Sequence, residues 1–224
     1  MPSRNRRRSY DNTLRLEHAQ QTRERILESA VQVIANAGKG GASLAQVARA
    51  ARVSEPTLYR HFGSRERLLE ELDAHAQAKM GFPVLPSSSA DLPRHVATLF
   101  EKFHEHAPLI RAANQSGVGR EMRAHARTKR TRVLRELVSA SAPDLTQREV
   151  ARVTSVLRVL ASWEAFETMT GEMGMSAEDA SDAVRWALDA LFAGVTKEKR
   201  AKRVAATSVA AKSRRGTRSE ENDK

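Results

Sequence analysis

The chain has 224 residues, no cysteine and a formal net charge of +11. It is long enough for one helical body or for a small and a larger domain, and it can hold no disulfide, thiolate metal site or cysteine nucleophile. Charged residues interrupt every long apolar run, which excludes a transmembrane helix, and the basic N-terminus precedes no apolar stretch, so we expect no secretory signal, no membrane partner and a cytoplasmic location.

The excess positive charge is concentrated at the two ends of the sequence. Residues 1–16 carry a net charge of +4 and residues 197–224 a net charge of +6, whereas residues 17–196 carry only +1. Basic tails attract polyanions, of which nucleic acid is the usual one in a cytosol. Solvated tails that aid solubility explain the same pattern equally well.

Helical periodicity dominates the sequence and strand-like alternation is nearly absent, which predicts an all-α protein. Residues 1–18 are polar and basic and are expected to form a flexible arm. The apolar spacing predicts a first helix from about Thr22 to Ala37, ended by the glycine-rich stretch Gly38–Gly41. This GKGG stretch lacks the spacing of a phosphate-binding loop.

The most informative segment lies between residues 43 and 69 and reads SLAQVARAARVSEPTLYRHFGSRERLL. Ser43, with a glutamine three residues later, predicts a capped helix start. The helix carries an apolar stripe of helical spacing, formed by Leu44, Val47, Ala48 and Ala51. The stretch Arg52–Ser54 then breaks the helix. A second short helix is expected to begin at Ser54 or Glu55, and Pro56 is tolerated in its first turn.

The second helix has Leu58 and Phe62 on its buried face, and Gly63 ends it in the left-handed conformation. Ser64 caps the helix that follows. Two short helices joined by a tight turn, the second with a polar and cationic outer face, fit a DNA-reading helix-turn-helix. Arg60 is the candidate for contacts with base edges or phosphates, and the candidate phosphate donors are Thr57, Tyr59, His61 and Arg65. An ordinary helical hairpin with a solvated polar face is the alternative.

Three short segments carry a family resemblance: TRERIL from Thr22, SLAQVA from Ser43, and VSEPTLYRHF from Val53, followed by Ser64, Arg65 and Leu68. With them, residues 22–72 resemble the DNA-binding domain of the TetR (tetracycline repressor) family of bacterial regulators. The resemblance implies that the segment 56–62 enters the major groove and that Arg60 reaches bases. It also implies phosphate contacts from Thr22, Ser43, Thr57, Tyr59, His61 and Arg65.

Two features depart from the family pattern. The family usually has aromatic residues around the end of the first helix, where this chain has Ile34-Ala35 and Lys39-Gly40. It also usually has glycine in the turn where this sequence has Arg52. A residue other than glycine in a left-handed turn costs on the order of 1 kcal/mol. Arg52 would also bring a cation close to the DNA, so we include it among the candidate DNA-binding residues.

Residues 81–93 contain three prolines and three serines, which predicts a linker between a helix-turn-helix domain over 19–80 and a helical regulatory and dimerisation domain over 94–196. Capping pairs mark helix starts at Thr146 and, less clearly, at Ser176. Helices are expected near 92–107, 109–116, 118–141, 146–171 and 177–195. Residues 197–224 have no apolar stripe and are expected to form a disordered basic tail.

The helices near 146–171 and 177–195 carry apolar residues on more than one side, which indicates that they pack against their own bundle and another surface. In TetR-like proteins the last two helices form the dimer interface, so the resemblance implies a homodimer, as a palindromic operator requires. It also implies a pocket for a small-molecule effector among the middle helices. Candidate lining residues, which core packing would explain without a ligand, are Phe100, Phe103, His104, Met122, Trp163 and Phe166.

These patterns predict a dimeric transcriptional repressor that binds double-stranded operator DNA and is released by a ligand. The alternative is a DNA-architectural or nucleoid-associated protein of the same fold without an inducer. No nucleophile motif, zinc motif or catalytic triad is present, so no enzyme and no cofactor are expected. His104 and His106 are two residues apart and point to different sides of a helix, which argues against a shared metal ion.

Overall fold

The computed structural model describes residues 4–37, 41–195 and 197, with side chains described from Thr13 onward. The predicted loop residues Gly38–Gly40 and residues 198–224 of the predicted tail lie outside the described residues. The described part of the chain is helical and contains no strand, which confirms the predicted all-α fold. Within this part, no helix is long and apolar enough to cross a membrane.

Ten α-helices follow one another along the described chain. They are α1 (Arg4–Ala35), α2 (Leu44–Ala50), α3 (Glu55–Phe62), α4 (Arg65–Lys79), α5 (Leu92–Glu105), α6 (Ala107–Gln115), α7 (Gly117–Ser141), α8 (Gln147–Leu160), α9 (Trp163–Glu167) and α10 (177–195). A 3-10 turn at Ser89–Asp91 precedes α5, and a π-helical turn at Thr168–Glu172 continues α9.

Helix α1 is longer than predicted, because it begins at Arg4 and not near Thr22. Residues 4–18, predicted to form a flexible arm, are therefore helical. The sequence contains neither glycine nor proline between Ser3 and Ala37, so no residue breaks the helix, and its arginine, leucine, glutamine and glutamate residues favour helix. Among the described side chains, the first buried one is Ile26.

The prediction of one helix over 146–171 is wrong, because the chain is interrupted between α8 and α9. Ala161 leaves the helical conformation, with φ −95° and ψ 38°. The Ser162 hydroxyl oxygen then accepts a hydrogen bond from the Ala165 N–H at 3.1 Å and caps the new helix. A serine that caps a helix competes with continuation of the preceding one, and here capping prevails over the continuous apolar pattern.

The other predicted helices agree with the structure to within two residues at each end. Pro108 separates α5 from α6 and lies in the first turn of α6. Backbone N–H groups in the first turn have no partner within the helix, so the absence of one in proline costs no hydrogen bond. The capping box at Thr146 is confirmed. At Ser176, the hydroxyl donates to the Asp179 carboxylate at 2.7 Å and accepts from the Asp179 N–H at 3.0 Å.

The first of two compact units contains the described residues of Met1–Pro83 and Lys102–Arg130. Its core is built mainly from apolar side chains of α1 to α4, and Val118 and Met122 of α7 complete it. The fully buried members of this core are Ile26, Ala30, Val47, Ala51, Leu58 and Leu68.

Within this unit, Ser116 joins α6 to α7 and is fully buried. Its hydroxyl donates to the Ala113 carbonyl at 3.0 Å and accepts from the Gly119 N–H at 2.9 Å. The Val118 N–H donates to the Ala42 carbonyl at 3.3 Å, which fastens the start of α7 to the segment before α2. Because Ser116 is buried, water cannot supply these hydrogen bonds, and protein groups must satisfy the polar atoms of the turn.

The second unit contains the described residues of Val84–Glu101 and Thr131–Lys224. An aromatic cluster lies in its core: the Phe100 and Phe166 ring centroids are 5.3 Å apart, and those of Trp163 and Phe166 are 5.5 Å apart. Fully or almost fully buried aliphatic side chains complete the core and include Val96, Val138, Leu157, Val184 and Leu188. The division into domains over 19–80 and 94–196 with a linker over 81–93 stays a prediction.

Candidate nucleic-acid interface

Helix α2 begins at Ser43 with the predicted capping box. The Ser43 hydroxyl oxygen accepts from the Gln46 N–H at 3.3 Å, and the Gln46 side-chain oxygen accepts from the Ser43 N–H at 2.8 Å. The predicted apolar stripe is buried at all four positions, Leu44, Val47, Ala48 and Ala51. The small residues of this stripe place α2 against α1 and α3 in the core of the first unit.

The turn between α2 and α3 is a Schellman motif with arginine at its left-handed position. Arg52 has φ 54°, and it is the one residue other than glycine with positive φ in the described chain. Its N–H donates to the Arg49 carbonyl at 3.1 Å, and the Val53 N–H donates to the Ala48 carbonyl at 3.0 Å. Arg52 therefore adopts the left-handed conformation that was expected where the family usually has glycine.

Replacing Arg52 by glycine should stabilise the protein by about 0.5–1 kcal/mol, because glycine adopts positive φ without the clash of a Cβ atom. Urea unfolding followed by circular dichroism measures the change. The matched control is Arg49→Gly, the same substitution at an ordinary helical position, which should destabilise by about 1 kcal/mol. Loss of stability in both variants would contradict the assigned strain at position 52.

Helix α3 is the predicted second helix of the motif. The Ser54 hydroxyl oxygen accepts from the Thr57 N–H at 3.3 Å, and Pro56 lies in the first turn. Leu58 and Phe62 are buried at 0% and 3% exposure, which leaves Arg60 exposed on the other side. A short, capped helix with one buried edge can present its remaining side chains to a groove of DNA.

The connection from α3 to α4 also follows the predicted pattern. Gly63 has φ 83°, and its N–H donates to the Tyr59 carbonyl at 2.7 Å. The Ser64 hydroxyl oxygen then accepts from the Arg67 N–H at 3.2 Å and caps α4. These two residues bring the start of α4 directly behind the end of α3.

Arg23 of α1 links three helices of the first unit, a role that the sequence analysis did not identify. Its guanidinium donates to the His61 carbonyl at the end of α3 and to both carboxylate oxygens of Glu71 in α4. It also lies over the Phe62 ring, 4.4 Å from the centroid. The signal in the sequence was weak, because an arginine in a polar stretch is ordinarily a solvated residue.

The eight predicted DNA-binding residues all lie in the first unit. Four of them are exposed, and the other four are half-buried. The exposed ones are Ser43, Arg52, Arg60 and Arg65, and the half-buried ones are Thr22, Thr57, Tyr59 and His61. All four hydroxyls among them already have protein partners: that of Thr22 donates to the His18 carbonyl at 2.8 Å, that of Thr57 lies 2.8 Å from the Ser54 hydroxyl, and those of Ser43 and Tyr59 accept from Gln46 and Arg65. Contact of these eight residues with DNA stays a prediction.

Arg65, at the start of α4, has two protein partners. Its Nε and Nη2 atoms donate to the Glu121 carboxylate of α7 at 2.7–3.0 Å, and its Nη1 donates to the Tyr59 hydroxyl at 3.0 Å. The hydrogen bonds to Glu121 raise the pKa of Arg65, so the guanidinium is charged throughout the accessible pH range. The structure therefore brings two predicted phosphate-contacting residues together and adds a carboxylate between α4 and α7.

His61 is held in the uncharged form by its surroundings. Partial burial, and then the nearby positive charges of Arg60, Arg23 and Arg25, lower the pKa of His61 below its ordinary value. At neutral pH the imidazole is therefore neutral in the free protein. A phosphate placed beside it would counteract this effect.

The six candidate ligand-lining residues are divided between the two units. Phe100, Trp163 and Phe166 form the aromatic cluster of the second unit. The other three belong to the first unit, where Phe103 packs edge-on against Phe82 at 5.7 Å, Met122 is buried in the core and His104 is exposed. Their role in ligand binding stays a prediction.

A cavity of about 290 Å³ lies in the second unit, away from the aromatic cluster. Its walls come from the start of α5, the end of α7, α8 and α10, and it includes one carboxylate, that of Asp189. The other residues around it are Ser89, Ala90, Pro93, Val138, Ser141, Ala142, Val153, Phe192 and Val195. None of the six candidate lining residues contacts this cavity. Among the described residues, no group of three or more histidine or acidic side chains is placed to hold a metal ion.

Comparison with solved structures finds chains of low sequence identity to this one. A TetR transcriptional regulator from Rhodococcus sp. RHA1 is 20% identical, with a TM-score of 0.49, over 77% of this chain and 96% of that one. A TetR-like transcriptional regulator from the same organism is 18% identical, with a TM-score of 0.46, over 78% of this chain and 96% of that one. With TM-scores below 0.5, these similarities contribute nothing to the family assignment. No curated protein shows significant similarity to the chain.

The family model for bacterial regulatory proteins of the tetR family matches residues 26–72. This segment extends from the first buried residue of α1 to Leu72 in α4, and so includes the complete helix-turn-helix. It also contains seven of the eight predicted DNA-binding residues. The match confirms the resemblance predicted from the sequence: residues 26–72, about a fifth of the chain, match the tetR family of bacterial regulatory proteins.

Proposed function

We propose that this chain is a TetR-family transcriptional regulator that forms a homodimer, binds a palindromic operator in a sequence-specific manner and is released from it by a small molecule. The single observation that carries the proposal is the outer face of α3. This helix is capped at both ends, is anchored by Leu58 and Phe62, and leaves Arg60 exposed. A short helix of this kind places its side chains at base edges in the major groove.

Selection of genomic DNA fragments by the purified protein, followed by sequencing, tests the proposal directly. At near-physiological salt, we expect one palindromic motif with half-sites about one helical turn apart. Binding to all fragments without a shared motif would favour an architectural DNA-binding protein instead, because binding that reads no bases depends on phosphate charge alone. Repeating the selection at higher salt should retain the motif while removing non-specific fragments.

Exposed apolar side chains in the second unit support the dimer. Val156 and Val159 of α8 are 40% and 64% exposed, and Trp186 of α10 is 74% exposed. Large apolar groups left in water on two helices favour a protein–protein contact. These are the two helices that the sequence analysis proposed for the dimer interface.

Replacing Val159 by aspartate should raise the dimer dissociation constant at least about 30-fold, since an unpaired charge in an interface costs roughly 2 kcal/mol or more. Sedimentation equilibrium measures the constant. Val84→Asp is the control, because Val84 is 89% exposed in the same unit and lies on neither helix. Equal dissociation constants for Val159→Asp and the parent protein would exclude this part of α8 from the interface.

The cavity near Asp189 supports a small-molecule effector. It is close in size to small-ligand pockets, which occupy about 300 Å³ or more, and its half-open walls combine apolar side chains with the hydroxyls of Ser89 and Ser141 and one carboxylate. An effector would release DNA only if its affinity differs between the DNA-bound and free arrangements of the dimer. Phe100, Trp163 and Phe166 pack against one another and would have to separate to admit a ligand.

Operator affinity should increase as pH falls from about 8 to 6, with a component that depends on His61. The pKa of His61 is lowered in the free protein, and an adjacent phosphate would raise it, so binding takes up a proton. The largest possible contribution of one proton is about tenfold per pH unit. In the free protein, the lowered pKa has the opposite effect: it makes folding less favourable as pH falls below about 6.5.

Fluorescence anisotropy with labelled operator across this pH range measures the effect. His61→Gln removes the titrating group and should give a flatter profile than the parent protein. A control with His18→Gln, at an exposed position in α1, should keep the parent profile. Superimposable profiles for all three proteins would show that His61 does not meet a phosphate.

A further inference from the structure

We propose that Glu121 of α7 belongs to the DNA-binding site, where its carboxylate competes with a DNA phosphate for Arg65. This inference depends on the proposed function, because it takes Arg65 as a residue that meets the DNA backbone. It assigns to α7, which lies outside the helix-turn-helix, an effect on DNA affinity. Glu121 acts through Arg65 and is therefore a positioning residue.

The geometry shows how completely Glu121 engages Arg65. One carboxylate oxygen accepts from Nε at 3.0 Å and from Nη2 at 2.7 Å, and the other accepts from Nη2 at 2.9 Å. The Tyr59 hydroxyl accepts from Nη1 at 3.0 Å. A guanidinium has five N–H donors in a planar fork, and the fork edge that suits a phosphate equally suits a carboxylate. The edge formed by Nε and Nη2 is therefore already occupied in the free protein.

Charge and exposure make the exchange of partners possible. The Arg65 and Glu121 side chains are 44% and 45% exposed, so DNA can reach the pair and water weakens it. The pair as a whole is neutral, and a neutral pair attracts a phosphate less than a free guanidinium does. Removal of the Glu121 charge should therefore leave the Arg65 guanidinium as one additional positive charge available to a DNA phosphate.

Two further contacts between α4 and α7 have the opposite arrangement. Glu70 of α4 accepts a hydrogen bond from His125 of α7 at 2.8 Å, and Asp73 of α4 forms an ion pair with Arg130 of α7, with 3.7 Å between the charged atoms. In both, α4 contributes the acid and α7 the base, whereas α7 contributes the acid opposite Arg65. Because these pairs remain, α4 and α7 stay in contact when Glu121 is neutralised, and the folded unit should be retained.

The test is a salt titration of operator binding by the full-length dimer carrying Glu121→Gln. We expect binding to be roughly three- to tenfold tighter at about 0.1 M salt, and the slope of log K against log salt to steepen by about 0.9, the value for one additional phosphate contact. Glu121→Asp should retain the parent slope. The control Glu70→Gln neutralises a carboxylate of the α4–α7 contact that does not touch Arg65, and should leave the slope unchanged.

A double-mutant cycle with Arg65→Gln identifies the cause. Without Arg65, neutralising Glu121 should change neither affinity nor slope. An equal gain in both backgrounds, no gain in either, or weaker binding by Glu121→Gln would overturn the inference. If the parent protein selects no operator, the proposed function itself is wrong. If the parent protein binds an operator and Glu121→Gln binds it with the same affinity and salt slope, only the present inference is wrong.

Discussion

Replacing Arg60 by alanine is expected to weaken binding to the selected operator roughly 10- to 100-fold, because a bidentate contact between arginine and a base contributes about 1–3 kcal/mol of discrimination. Arg60 is exposed on α3, so its truncation leaves no cavity and should leave the thermal midpoint unchanged. Fluorescence anisotropy with operator and with scrambled DNA of equal length measures the two affinities. The ratio between them should fall, because specific contacts are lost and phosphate contacts remain.

The control for Arg60→Ala is Arg94→Ala, which makes the same change of charge at an exposed position in α5 of the second unit. It should reduce both affinities little and leave their ratio intact. A variant lacking Arg60 that kept the full ratio would mean that α3 does not read bases through this residue. Sedimentation of both variants as dimers would show that assembly is not the cause.

Replacing Gly119 by alanine should destabilise the first unit by about 3 kcal/mol or prevent its folding. A Cβ atom at this position would lie 2.1 Å from the Ala113 carbonyl oxygen and 2.8 Å from the Ser116 hydroxyl oxygen. Both neighbours belong to the buried turn between α6 and α7, where the backbone cannot rotate away as a side chain can. Overpacking at such a site typically costs 1–3 kcal/mol, and more when the neighbour is backbone. Urea unfolding measures the loss.

Gly117 provides a matched control in the same turn of α7. A Cβ atom there would lie 3.5 Å from the Ala42 carbonyl oxygen, an ordinary contact distance. Gly117→Ala should therefore be neutral or slightly stabilising, because alanine loses less backbone entropy on folding. If both variants unfolded at the same urea concentration, the close approach at Gly119 would have no energetic importance.

The helix-turn-helix was predictable because its boundaries depend on local chemistry. Ser43, Ser54 and Ser64 each cap a helix through their own hydroxyl, and Gly63 ends one through positive φ. Such signals act within four residues and are therefore readable in sequence. The two errors in helix bounds arose where local signals were absent or ambiguous. No glycine or proline between Arg4 and Thr22 marks a helix start, and Ser162, which separates α8 from α9, lies within a continuous apolar pattern.

The candidate site was only partly predictable, because some of its contacts join residues far apart in sequence. The eight predicted DNA-binding residues came largely from family resemblance and lie in or next to the matched segment. Arg23 meets His61 and Glu71, and Arg65 meets Glu121. Pairs of this kind depend on which helices pack together, and a charged residue on a polar helix face gives no indication of its partner.

The segment of α1 from Thr13 to Thr22 should melt separately from the domain that follows it. Between Thr13 and Thr22 no side chain is buried, and Leu16 is 69% exposed. A helical stretch without tertiary packing is marginal in water and follows a gradual helix–coil equilibrium. The five arginines of residues 1–16 repel one another, and polyanions reduce that repulsion. The helix content of this protein is therefore not constant below its cooperative transition, and it should increase when the charge of residues 1–16 is neutralised.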